Sequence, residues 1–220
     1  MTIRRRAAAI TGTTAALALT LTACGQGQQN DTPAAQEPAP APAPAPAPTA
    51  DGVTTADDVF GPACSQVPSD PNDPGSVQGM IDDPVGTAAS NNPLLTKLTA
   101  AVQAAGLGDT LNKGDANYTV FAPADPAFDA VPADTLNALL TDPAQKQQLT
   151  DLLTYHVVPQ RMDADGIAQA GKLPTAQGGE LTVEGSGDNL KINGASVLCG
   201  NVPTANATVF VVDKVLMPGK

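Results

Sequence analysis

Proline alternates with alanine from Pro38 to Pro48, and this repeat limits what the first part of the chain can form. Each proline fixes φ and lacks an amide hydrogen, and it drives the preceding residue into extended geometry. Helix and strand are therefore excluded here, and polyproline II is expected. Large apolar side chains are scarce before Cys64, so we predict a disordered spacer over residues 24–63 and one domain over residues 64–220.

Residues 1–23 have the order of a secretory signal, with three arginines near the start and an apolar stretch after them. The signal ends at Leu21-Thr22-Ala23-Cys24, which resembles a lipobox, where a bacterial cysteine is acylated before cleavage. We therefore expect a lipid on Cys24 that holds the protein at the outer face of the cell membrane, since each buried CH₂ contributes about 0.8 kcal/mol. The alternative is an ordinary secreted protein in which Cys24 has no role.

Cys64 and Cys199 remain as a pair once Cys24 is set aside, and disulfides persist in exported proteins. We predict that they bond to each other and tie the end of the spacer to a late strand. Free thiols and a metal pair are the alternatives. The chain has one histidine and no other cysteine close to either position, so the usual ligand spacing of a zinc site is absent.

Threonines in the spacer are candidate O-glycosylation sites, because they lie among Pro and Ala residues as in glycosylated stalks. The candidates are Thr32, Thr49, Thr54 and Thr55.

The charge of the chain argues against a nucleic-acid partner. Its formal net charge is -11, and removing the three leader arginines from the 11 basic residues leaves 8 against 22 acidic ones. The remaining lysines are scattered singly, whereas phosphate binding needs them clustered.

The first half of the domain is predicted to be mainly helical. Asp82-Asp83-Pro84 is a typical helix start, and apolar residues recur at helical spacing from Leu95 until Gly106, which suits a helix exit. Asp125 is predicted to cap a short helix that carries Phe128. Two more helices are predicted over Asp134 to Leu140 and Pro143 to Leu153.

Short apolar segments broken by glycines dominate the second half and predict strands, as does the earlier segment Tyr118 to Phe121. The later strands are predicted over Leu181 to Val183, Leu190 to Ile192, Ala195 to Leu198 and Thr208 to Val212. Helices followed by strands indicate an α+β domain and not an alternating α/β one.

Three segments in order resemble those of fasciclin (FAS1) domains: Tyr118 to Phe128, Leu153 to Val158, and Ala207 to Pro218. The resemblance covers residues 77–218, and with the leader and spacer the chain is similar to immunogenic FAS1 surface lipoproteins of actinobacteria. It implies a single FAS1-like domain, a β-sandwich or wedge with helices packed on one side.

The chain offers no recognisable catalytic set. Gly185-Ser186-Gly187 has the wrong spacing for a nucleophile elbow, and Gly171-Lys172 lacks the upstream glycine of a phosphate-binding loop. Asp70 to Gly75 looks like the start of a calcium loop, but Pro74 and Ile81 occupy ligand positions. We expect no enzyme, no cofactor and no metal, and a binding module at the cell surface instead.

The Tyr-His segment is the candidate interaction site, because the resemblance links it to cell adhesion in animal members of the family. It comprises Tyr155, His156, Val157 and Val158. The expected partner is an unknown protein or glycan, with a host receptor among the candidates. A core role is the alternative for these residues, with a neutral His156 that donates one hydrogen bond and accepts another. The alternative function is a carrier of a small hydrophobic ligand or lipid in a groove between helices and sheet.

Replacement of Cys24 tests the predicted anchor. Cys24→Ala should leave the protein unprocessed by lipoprotein signal peptidase and unlabelled by fatty-acid analogues, because acylation needs the thiol. Labelling and membrane partition of wild type and variant provide the measurement. A variant that still carries the label would show that Cys24 is not the acylated residue.

Overall fold

The computed structural model describes residues 52–114 and 116–218. Its helices are α1 (Val77–Met80), α2 (Val85–Asn91), α3 (Thr96–Ala105), α4 (Gly108–Leu111), α5 (Asp125–Asp129), α6 (Ala133–Thr141), α7 (Lys146–Tyr155) and α8 (Ala164–Ala170). Its strands are β1 (Tyr118–Pro123), β2 (Val157–Val158), β3 (Lys172–Pro174), β4 (Glu180–Glu184), β5 (Lys191–Ile192), β6 (Ala195–Pro203) and β7 (Ala207–Val212).

The strands form one seven-stranded sheet in the order β2-β1-β7-β6-β5-β4-β3. β1 and β7 run parallel, in register from Tyr118 beside Ala207 to Pro123 beside Val212, while the other neighbours are antiparallel. The first long strand is thus paired with the last, which places two of the three signature segments side by side.

Side chains of β1 and β7 alternate between two hydrophobic cores, as successive strand residues must. Val120 and Val209 enter a core shared with helices α1 to α3 and α5 to α7. Phe121 and Phe210 point to the second core, with ring centroids 5.7 Å apart. Both strands are therefore buried on both faces, which explains their almost unbroken apolar sequence.

The second core is closed by the far half of the same sheet. Leu173 of β3, Leu181 of β4 and Ile192 of β5 pack with the two phenylalanines, together with Ile167 of α8. The pairing of β6 with β7 shifts register twice, between Val197 and Val202, and such bulges bend a strand. The bent sheet and its helical layer form the α+β wedge expected from the sequence.

Asp125 has a different partner from the one predicted. The N-cap of α5 is Ala124, whereas the Asp125 carboxylate accepts hydrogen bonds from Thr96 Oγ1 and from the amide of Lys97, the latter at 2.9 Å. It therefore caps α3, because the chain after β1 returns to the start of that helix. This carboxylate therefore binds the first of the three FAS1-like segments, Tyr118 to Phe128, to the start of α3.

The packed domain begins earlier than the predicted boundary at Cys64. The carbonyl of Gly52 accepts a hydrogen bond of 2.9 Å from Thr208 Oγ1, and Phe60 forms a β-bridge with Gly200. The Phe60 ring lies directly over Gly200, where a Cβ would be 2.5 Å from it. Residues 52–63 therefore belong to the domain and not to the spacer, since backbone pairing and an aromatic contact hold them against β6.

A disulfide joins Cys64 to Cys199 across 135 residues, with an S–S distance of 2.01 Å. Next to it, the amide of Ala63 donates to the carbonyl of Leu198 at 2.9 Å. The bond therefore fixes the N-terminal segment to the middle of β6, close to the register shifts of that strand.

Removal of this disulfide should lower stability. In the chain-entropy treatment, a loop of this length corresponds to about 5 kcal/mol as an upper value. The double variant Cys64→Ser and Cys199→Ser should therefore have a lower free energy of unfolding than oxidised wild type, measured by denaturant titration. Reduced wild type is the matched control and should resemble the variant. Equal stability of all three proteins would contradict the prediction.

Candidate functional site

The Tyr-His segment lies where α7 runs into β2, and it is inside the domain. The exposed fractions are 3% for Tyr155, 3% for His156, 8% for Val157 and 0% for Val158. Val157 and Val158 pair with Val120 and Thr119 of β1. As folded, these four side chains offer no contact surface, so their interpretation as the interaction site is corrected in favour of the core role.

Both ring nitrogens of His156 are engaged by the backbone. Nδ1 donates to the carbonyl of Leu152 at 2.8 Å, and Nε2 accepts from the amide of Leu216 at 2.9 Å. Burial lowers the pKa of His156 from 6.5 to about 4, and the bond to Leu152 opposes this shift only in part. The neutral ring thus joins the end of α7 to the C-terminal segment, which is the arrangement expected of a core histidine.

Tyr155 makes a second connection from the same helix end. Its hydroxyl donates to the carbonyl of Glu180 at 2.9 Å and accepts from Nδ2 of Asn193 at 2.8 Å. Its ring lies against Gly179, where a Cβ would be 2.8 Å from Cε2. Tyr155 therefore holds α7 to the start of β4 and to the turn between β5 and β6, and its hydroxyl is hydrogen-bonded within the fold.

The predicted modification sites divide into those inside and outside the described residues. Cys24, Thr32 and Thr49 lie outside them. Thr54 is buried, and its Oγ1 has no hydrogen-bond partner within the described chain. Thr55 is exposed and its hydroxyl donates to Asp58 at 2.7 Å. In the folded domain Thr55 is accessible to glycosylation, whereas Thr54 is not.

An apolar cavity of about 300 Å³ lies between the helical layer and the sheet. Helices α2 and α3 contribute Ala88, Leu98 and Val102, and the sheet contributes Val120 and Val209. It opens to solvent beside exposed polar residues at the ends of α3 and α4, among them Gln103, Asp109 and Asn112. A cavity thus exists in the place that the carrier alternative requires.

Asn206 holds two segments that line the cavity, and no sequence pattern predicted this role. Its Nδ2 donates to the carbonyls of Leu111 and Lys113, both at 2.8 Å, and its Oδ1 accepts from the amide of Val85 at 2.8 Å. It therefore attaches the end of α4 and the start of α2 to the turn before β7. An amide directly before a strand is a weak signal, because many turns contain asparagine.

Within residues 52–114 and 116–218, three or more His, Cys, Asp or Glu side chains are nowhere grouped as metal ligands would be. None of the helices in these ranges has the length and apolar character needed to cross a membrane.

The sequence profile of the fasciclin domain matches residues 93–218, more than half of the chain. The chain belongs to the fasciclin domain family. The immunogenic protein MPB70 of Mycobacterium bovis is 47% identical over 169 residues, which cover 74% of this chain and 84% of the relative. The cell surface glycolipoprotein MPB83 of the same species is 46% identical over 181 residues, 77% of each chain.

The fasciclin fold is also seen in a FAS1 domain pair from the insect cell adhesion molecule fasciclin I. That structure superposes with a TM-score of 0.56 at 16% identity, over 64% of this chain and 52% of the other. This chain thus spans about half of the insect domain pair. At this identity the likeness concerns the fold alone.

His156 should make the stability of the fasciclin domain pH-dependent. Since its folded pKa of about 4 is below the unfolded value of 6.5, the unfolded state binds more protons between these values. The contribution of the neutral His156 to the free energy of unfolding is therefore fully present above pH 6.5. It decreases by about 3 kcal/mol as the pH falls to 4. Unfolding of wild type and His156→Gln across this range measures the difference in slope.

The loss should be absent from His156→Gln, because glutamine does not titrate, while carboxylates contribute equally to both proteins. At neutral pH, His156→Ala should cost about 2 to 4 kcal/mol through a cavity and unpaired backbone groups. Parallel pH profiles for wild type and His156→Gln would contradict the buried neutral histidine.

Proposed function

We propose that the mature protein is anchored by a lipid on Cys24 and presents its fasciclin domain at the cell envelope for adhesion or another protein interaction. The observation that carries this proposal is the likeness over 77% of the chain to a cell surface glycolipoprotein, together with the Leu21-Thr22-Ala23-Cys24 sequence. The partner is a protein or glycan of the envelope or of a host cell.

The geometry favours binding without catalysis. His156, the single histidine of the sequence and the residue type used most often for acid-base catalysis, has both ring nitrogens bound to backbone groups. Both domain cysteines are joined in the disulfide, so neither supplies a thiol nucleophile. The contact surface is then formed by exposed residues elsewhere on the domain.

A second function, carriage of a small hydrophobic molecule, is favoured by the cavity of about 300 Å³. Ligand pockets are typically concave, largely apolar and between about 300 and 1,000 Å³ in volume. The two functions are compatible, because the cavity opens beside α4 and leaves most of the outer surface free for a partner.

Attachment of cells that display the protein tests the interaction role. Cells carrying wild type should adhere saturably to host or envelope surfaces, and the soluble mature domain should compete. Cells that do not express the protein are the control and should not attach in this way.

A synthetic peptide of residues 153–158 provides a second control and should not compete, because the Tyr-His segment is buried in the domain. Absence of saturable attachment by wild-type cells would overturn the interaction role. Competition by the peptide would show that the Tyr-His segment is the contact surface after all.

A further inference from the structure

The size of the cavity limits what it can hold. A water molecule in the liquid occupies about 30 Å³, and a non-hydrogen atom of a ligand needs a similar volume. One such atom would fill about a tenth of the cavity volume of about 300 Å³. The enclosed part therefore suits about ten non-hydrogen atoms. Apolar cavities of half this volume stay dry and take up small hydrocarbons, so apolar contact dominates here as well.

The charges around the cavity limit the ligand further. Among its described lining residues there is no lysine or arginine, and Asp109 is the one carboxylate. His156 also reaches the lining, but both of its nitrogens are bound to Leu152 and Leu216. At the opening, a carboxylate or phosphate on a ligand would exchange part of its hydration for neutral amides and the Asp109 carboxylate, without gaining a cationic partner.

A positive group on a ligand would gain little binding free energy at the opening of the cavity. Asp109 is exposed on α4, where solvent and salt weaken its attraction for a cation. Gln103 and Asn112 line the cavity and are exposed. Because Oδ1 of Asn112 already accepts from the amide of Thr87 at 3.2 Å, Nδ2 of Asn112 and the amide of Gln103 are the groups that can bond a hydroxyl or carbonyl group at the opening. Lys113 is exposed on the same segment but does not line the cavity.

We propose that the cavity binds one uncharged apolar molecule of about ten non-hydrogen atoms, with its apolar part between α2, α3 and the sheet and a neutral polar end beside Gln103 and Asn112. This inference rests on the carrier function above and specifies its ligand as neutral. A medium-chain alcohol is the simplest member of the class.

Three probes with the same ten-carbon chain test the inference: decan-1-ol, decanoate and decyltrimethylammonium. Their dissociation constants at pH 7 are measured by displacement of a fluorescent apolar dye from the mature chain carrying Cys24→Ser, which has no acyl group. Decan-1-ol should bind at least tenfold more tightly than either charged probe. Asp109→Asn should change its affinity by less than twofold, because the carboxylate is not part of the recognition.

Two matched substitutions locate the binding. Ala88→Leu places extra side-chain atoms in the cavity. It should weaken the binding of decan-1-ol at least tenfold without lowering the melting temperature of the protein. Ala168→Leu adds the same atoms to α8 beside the second core and should leave binding unchanged. If Ala88→Leu does not fold, Val102→Phe provides the same test from α3.

The outcomes separate the two proposals. Binding by no probe would overturn the carrier function and this inference together. Decanoate or decyltrimethylammonium binding as tightly as decan-1-ol would overturn the neutral ligand and leave the carrier function standing. Unchanged decan-1-ol binding in a folded cavity-filling variant would show that the molecule binds elsewhere.

Discussion

The parallel pairing of β1 with β7 is the contact on which the rest of the domain depends. It aligns Tyr118–Pro123 with Ala207–Val212 and thereby closes most of the chain between two adjacent strands. Because both faces of the pair are buried, one set of side chains supports the helical layer and the other supports the bent half of the sheet. Both cores therefore rest on these two strands.

Polar side chains join the elements around this centre. Asp125 caps α3, His156 connects α7 to the C-terminal segment, and Asn206 connects α2 and α4 to the turn before β7. A buried polar group without a partner would be costly, and each of these three side chains is bonded to at least one backbone group that is distant in sequence. The residues that make the chain resemble fasciclin domains thus act mainly by building the fold.

A contact surface for a partner must then lie outside the Tyr-His segment. Tyr155 and His156 hold α7 in place, and their hydrogen bonds leave nothing for a partner. The helices that β1 and β7 support do not fill the space above the sheet completely, and the cavity between them is the consequence. Surface display and ligand binding can therefore use different parts of one domain.

The sequence by itself determined the strong local features: the α+β class, most helices and the later strands, the exit of α3 at Gly106, and the neutral core role available to His156. These follow from proline and glycine geometry and from apolar periodicity, which act within a few residues. Only the tertiary structure decided that residues 52–63 join the domain, that α8 and β3 form, that Asp125 caps α3, and that a cavity remains. Each of these depends on contacts between residues far apart in the chain, which local propensity does not encode.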